Sequence, residues 1–122
     1  MLIKVLKGKL HRATVTEAKL HYPGSIAIDS ALLEAAGIAP YENVLIADLN
    51  NGNRLETYVV PVEPGSGRIE ILGAAAQRIK QGDTVIILAF GYCTDQEARE
   101  ICPQVVVLGE ENKIIDQPNK KS

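Results

Sequence analysis

The chain has 122 residues, of which 46% are hydrophobic, 4% aromatic and none tryptophan, with a formal net charge of −2. That length suits one domain with a core of Val, Ile, Leu and Ala. A slightly acidic balance offers no basic footprint for nucleic acid or an anionic membrane surface, and no apolar run approaches the ~20 residues a membrane helix needs.

The opening stretch MLIKVLKGKLHR is basic but holds no apolar segment of signal-peptide length, so the protein is read as cytosolic. Residues 2–6 and 10–15 read as two short strands. Lys9 and His11, two apart, share one face of a strand. LHYPGSIAID, positions 20–29, sets a Pro and a Gly-Ser pair at the threshold of an apolar run. A turn would account for them; so would a Gly24–Ser25 bond built to break. Asp29 or Ser30 can cap a helix over 31–36 that ends at Gly37. A strand over 44–49 leads into Asn50-Asn51-Gly52-Asn53, a hairpin signal, with the return run at 57–62. Pro64-Gly65-Ser66-Gly67 is a second turn, followed by a strand over 68–72.

After Gly73, residues 74–79 can make one or two helical turns. The small residues Gly73, Ala74 and Ala75 expose backbone N–H groups suited to an anion, and equally allow close packing on a sheet. Residues 84–90 are almost all apolar and are expected to be buried on both faces. Thr94 can start a short helix, 105–108 is a last strand, and about 110–122 is a polar tail. Many short strands in one small domain, 1–122, imply a closed barrel, because closure removes exposed edges. Cys93 and Cys102, with His11 and His21, lack the short spacing of structural zinc sites, so no metal is expected. No disulfide is expected in the cytosol.

Four segments in register carry a resemblance: GKLHRATVTEAKLHYPGSIAID, NNGNRLETY, GAAAQ and GDTVIILAF. Together they resemble the pyruvoyl-dependent aspartate α-decarboxylases over roughly residues 1–110. The resemblance implies a mainly β fold, a six-stranded double-psi β-barrel with a few short helices. It also implies a homotetramer with active sites between subunits. The implied reaction converts L-aspartate to β-alanine and CO₂, supplying pantothenate and coenzyme A synthesis. The cofactor it implies is a pyruvoyl group made from Ser25, with neither pyridoxal phosphate nor metal.

The chemistry of such a group starts with the Ser25 hydroxyl attacking the Gly24 carbonyl carbon through a five-membered ring. The amide becomes an ester; elimination and hydrolysis leave a 1–24 chain and a 25–122 chain that begins with pyruvoyl. Glycine at 24 is expected to permit a backbone conformation a side chain would forbid. Alignment of an intramolecular attack is worth up to ~7–11 kcal/mol. By resemblance Thr57 donates to the Gly24 oxyanion and His11 lies near the processing site. A pyruvoyl carbonyl takes the substrate amine as a Schiff base and accepts the electrons that decarboxylation releases. The same resemblance makes Tyr58 the proton donor to the product carbanion, a phenol that keeps its proton at neutral pH. It assigns Arg54, Lys9, Thr57, Gly73, Ala74 and Ala75 to substrate binding, Arg54 offering a planar fork for a carboxylate. On the same resemblance Tyr22 and Leu72 are expected to line the pocket.

Leu72 departs from the pattern, since family members usually carry Asn before GAAA, and leucine cannot hydrogen-bond. That departure motivates the alternative of a non-catalytic binding or assembly module that stays uncleaved. It also leaves open whether maturation needs a helper protein. A serine hydrolase built from Ser25, His11 and Asp29 is disfavoured, because Ser25 lacks a G-x-S-x-G elbow.

Overall fold

A computed structural model describes residues 1–120. The described residues form nine strands, two α-helices and two 3₁₀ turns. The strands are β1 (Ile3–Thr14), β2 (Glu17–Lys19), β3 (Ser25–Asp29), β4 (Asn43–Asp48), β5 (Arg54–Val62), β6 (Ile69–Leu72), β7 (Thr84–Cys93), β8 (Gln104–Leu108) and β9 (Ile114–Asp116). The helices are α1 (Ser30–Ala36) and α2 (Asp95–Glu100). Among the described residues no helix is long and apolar enough to cross a membrane.

The strand order is β2-β6-β3-β5-β4-β7-β1-β8-β9. Its first and seventh members are one stretch of chain. Val15 donates its N–H to Asp83 and Thr16 donates to Ile69, so the chain leaves β7 and reaches β6 within two residues. Counting β1 and β2 as one strand, six strands close a ring, and β8 and β9 extend from the side of β1. The ring is mixed, parallel at β2–β6 and β3–β5 and antiparallel elsewhere. This agrees with the six-stranded barrel expected from the sequence. Its interior holds Leu10, Ile26, Ile28, Val44, Ile46, Val59, Ile69, Ile71, Val85 and Ile87, all fully buried.

Local signals work as their chemistry requires. Asp29 caps α1 through a hydrogen bond from the Ala31 N–H at 2.9 Å. Its carboxylate also accepts the N–H groups of Gly65 and Gly67, at 3.0 and 2.9 Å. Three donors satisfy a carboxylate that is almost wholly buried, so the Pro64–Gly67 turn is tied to the helix start. Thr94 and Glu97 form a reciprocal capping box on α2.

Three expectations change. The two segments 2–6 and 10–15 are one strand running through Gly8. There the C-terminus of α1 lies so close that a side-chain carbon would sit 2.1 Å from the Ala36 carbonyl oxygen. Residues 84–90 are not buried on both faces: Val85, Ile87 and Ala89 are buried and the alternate residues only half-buried. The stretch from 110 is not merely a tail. Asn112 is buried and bonds both the N–H and the carbonyl of Thr14 and the carbonyl of Gly67, fastening it to the barrel.

Candidate active site

The strand registers decide which side chains share the outer surface of the barrel. Ile26 pairs with Val59 on one side and Ile71 on the other, all three in the core. Side chains alternate along a strand, so Ser25 faces away from the core, although it is only 5% exposed. Ser25 pairs with Leu72, and Leu72 with Lys19. Carrying the β3–β5 register one residue back, to the first residue of β3, sets Tyr58 beside Ser25; Gly24 lies in the bend before the strand. A row Lys19, Leu72, Ser25, Tyr58 thus crosses four strands. Tyr58, next to the buried Val59, faces outward; Thr57 stands on the core side of the same strand.

The turn before Ser25 packs on the GAAA segment. Gly73 opens a 3₁₀ turn, Gly73–Gln77, with φ +85°. A side-chain carbon on Gly73 would lie 2.6 Å from Gly24 Cα and 2.9 Å from both the Gly24 nitrogen and the Tyr22 oxygen. The conformational demand expected of Gly24 therefore falls on Gly73. Gly24 has no positive φ, and a side-chain carbon there would meet nothing within 4 Å. The Ser25 hydroxyl donates a long, 3.5 Å hydrogen bond to the Pro23 carbonyl. Gly73 and Ala76 are buried, Ala75 is half-buried and Ala74 exposed, so the small residues serve close packing and still present one edge.

The remaining nominated residues lie elsewhere on the outer surface. Arg54 shares the face of Tyr58 but is four residues, about 13 Å, along the strand. Lys9 pairs with Leu88 and Val105, and His11 with Val107. At Lys9 the neighbours of β1 are β7 and β8; at Ser25 the neighbours of β3 are β5 and β6. No strand flanks both. Between Arg54 and Lys9 the outer face carries Leu45, Ala47, Ile86 and Leu88, all half-buried.

His11 sits at an irregularity, where the β1–β7 register shifts between Leu10 and Ala13 and Arg12 has φ +64°. Its Nδ1 is buried without a hydrogen-bond partner. Burial first, then the charges of Lys9 and Arg12, lower its pKa below the usual imidazole value. At neutral pH the ring is uncharged.

A buried Asp48 and a half-buried Asp83 underlie the hairpin that launches Arg54. Asp48 accepts the Asn50 N–H at 2.8 Å, and Asn51 and Asn53 both donate to the Arg78 carbonyl. Burial, then the neighbouring Asp83 carboxyl, raises the Asp48 pKa. The Asp48 carboxyl and then the Lys80 N–H lower that of Asp83.

Two further residues belong to this surface and were not singled out from the sequence. Lys19 enters the row by register, and its Nζ lies 5.2 Å from the centroid of the Tyr22 ring. Tyr41, held at φ +65°, sets its ring 6.4 Å from that of Tyr58 with a 37° tilt. Neither carries a local pattern; cross-strand register and loop placement reveal them. Asp29, spent on three backbone donors, is not available to a Ser25–His11 pair. The larger described cavity, about 710 Å³, is lined by α1, the 100–105 segment and residues 117–120, and contains none of the nominated residues.

Residues 1–115 match the family model described as aspartate decarboxylase. The chain is 54% identical to an aspartate 1-decarboxylase of Listeria monocytogenes, over 93% of this chain and 90% of that one. It is 51% identical to aspartate 1-decarboxylases of Clostridium beijerinckii, covering 100% and 98% of the two chains, and of Caldicellulosiruptor saccharolyticus, covering 99% and 94%.

Proposed function

The chain belongs to the aspartate decarboxylase family, and from that premise we propose that it cuts itself between Gly24 and Ser25 and then decarboxylates L-aspartate to β-alanine and CO₂. The observation that carries the reading is the row in which Ser25 stands beside Tyr58 and against the Gly73 turn, among segments of a chain half identical to decarboxylases.

In maturation the Ser25 Oγ bonds to the Gly24 carbonyl carbon as its proton leaves, and the Gly24 C–N bond breaks, freeing the Ser25 amine. Loss of the Ser25 Cα proton then breaks the Cβ–Oγ bond and releases Gly24 as a carboxylate. Water replaces nitrogen as ammonia, leaving a pyruvoyl group on residue 25. Thr57, next to Tyr58 on β5, fits the role of donor to the developing oxyanion. The uncharged His11 fits a proton acceptor rather than a charge partner. The residues present fit the pyruvoyl group: its precursor hydroxyl is nearly buried, and a phenol stands beside it.

That group supplies an electron sink for the pair released from the C–CO₂ bond. The chain's own part is to hold and protonate. Arg54 and Lys9 bind carboxylate, with the exposed edge of Ala74 and Ala75 and the Tyr22 ring shaping the pocket beside Leu72. The Tyr58 hydroxyl delivers a proton to the substrate Cα. Lys9 and His11 lie apart from Ser25 in one chain, and the face between Lys9 and Arg54 is apolar. Both features support a homotetramer in which one subunit's Lys9 face meets another's Ser25 row. We place the product in the supply of β-alanine for pantothenate and coenzyme A, in the cytoplasm.

One observation favours the second reading, an uncleaved binding or assembly module. The Ser25 hydroxyl bonds the Pro23 carbonyl, and Leu72 beside it offers no donor. Purified protein given L-aspartate discriminates the two. The account expects stoichiometric β-alanine and CO₂; no turnover by a folded protein contradicts it.

A further inference from the structure

Residues 20–24 are all exposed, whereas β3, which starts at Ser25, is buried throughout. The turn that must present the Gly24 carbonyl to the Ser25 hydroxyl is therefore held by few contacts. On its backbone side, the close approach of Gly73 to Gly24 and Tyr22 fixes it. On its side-chain side, the Tyr22 ring is 53% exposed and lies under the Lys19 ammonium at 5.2 Å. A cation over an aromatic face is attracted by the ring quadrupole. Lys19 reaches this point by two routes, three residues back along the chain and directly across from Leu72, which pairs with Ser25. Glu17 steadies the ammonium at 3.4 Å. Leu72 is the near neighbour of Ser25 and its side chain can donate no hydrogen bond, so orientation of the turn falls to groups around it.

We propose that Lys19 is a positioning residue for self-cleavage. Its ammonium, seated on the Tyr22 ring, holds the Tyr22-Pro23-Gly24 turn so that the Ser25 hydroxyl can meet the Gly24 carbonyl. The inference rests on the self-processing reading above and assigns that reaction a residue acting through Tyr22.

The test follows cleavage of freshly synthesised chain by intact mass over time. Lys19→Met keeps the apolar stem and removes the charge, and Lys19→Gln provides a second uncharged variant. Both are expected to cleave about two- to fivefold more slowly, the range an exposed cation–π contact gives. Lys19→Arg, which can still sit on the ring, restores the rate. In a Tyr22→Leu background, Lys19→Met adds no further slowing. Wild-type cleavage rates in both uncharged variants overturn the inference. So does normal cleavage with a raised KM, which would make Lys19 a substrate ligand. A wild-type chain that never cleaves defeats the self-processing reading itself; an equally fast Lys19→Met beside a cleaving wild type defeats only the role of Lys19.

Discussion

The Ser25 row and the Lys9–His11 face are both outward surfaces of one barrel, and they are finished to different degrees. Around Ser25 the chain supplies its own closure: Gly73 is pressed on Gly24, Leu72 pairs with Ser25, and Tyr58 stands alongside with the Tyr41 ring near it. Around His11 the surface is left open. An imidazole nitrogen is buried without a partner, Arg12 has a positive φ, and Lys9 looks out beside half-buried Leu88. Bond-making groups can be set by packing within a subunit. The Lys9–His11 face is the one that the proposed assembly would complete with a neighbouring subunit.

The sharpest way to break this contrast is to divide it between chains. Ser25→Ala is expected to abolish cleavage and turnover altogether, while Lys9→Met cleaves but binds aspartate poorly. If the two regions meet across subunits, co-expressing these variants restores activity at about a quarter of sites on random mixing. Recovery of none, with mixed tetramers present, would put both regions in the service of the same chain. Next in size, Tyr58→Phe should cleave at the wild-type rate yet lose about 10²–10⁴ in kcat, the range for a missing general acid. Equal loss of cleavage and kcat would mean that Tyr58 shapes the turn instead.

Gly73→Ala attacks the finished region alone. A left-handed φ costs a residue with a side chain about 1–3 kcal/mol, and the added methyl meets the Gly24 backbone. A lower Tm and accumulation of intact precursor are expected. Gly24→Ala meets no neighbour, so it should leave Tm nearly unchanged. The smallest effect concerns the hairpin below Arg54. The raised Asp48 pKa means that its stabilising proton is present at low pH and lost as pH rises through the folded value. Asp83, lowered, works in the opposite sense, losing its contribution as pH falls through its own value. Asp48→Asn stays uncharged beside Asp83 at every pH. Its Tm should match wild type near pH 4 and exceed it at pH 8, by the equivalent of about 0.5–1.5 kcal/mol.

What could be read from the sequence was local or familial. The Asp29 cap, the end of α1 at Gly37, the Asn50–Asn53 hairpin and the Thr94 cap are each fixed by residues within a few positions. β2 and β9, three residues each, are too short for periodicity to reveal, and they form because a neighbouring strand offers its edge. Half-burial along β7 was hidden because an all-apolar run looks the same whether its second face meets a core or an apolar outer surface. The demand on Gly73 rather than Gly24 depends on a contact across about fifty positions of sequence, as does the place of Lys19 opposite Leu72. Lys9 and His11 could be set on one face by counting; that they lie strands away from Ser25 could not.

The central claim is tested most directly by denaturing intact-mass measurement of the purified wild-type chain. The account predicts two fragments, residues 1–24 and residues 25–122, the second with an N-terminal mass that fits pyruvoyl rather than serine. A single uncut chain, unchanged after prolonged warming, would contradict it.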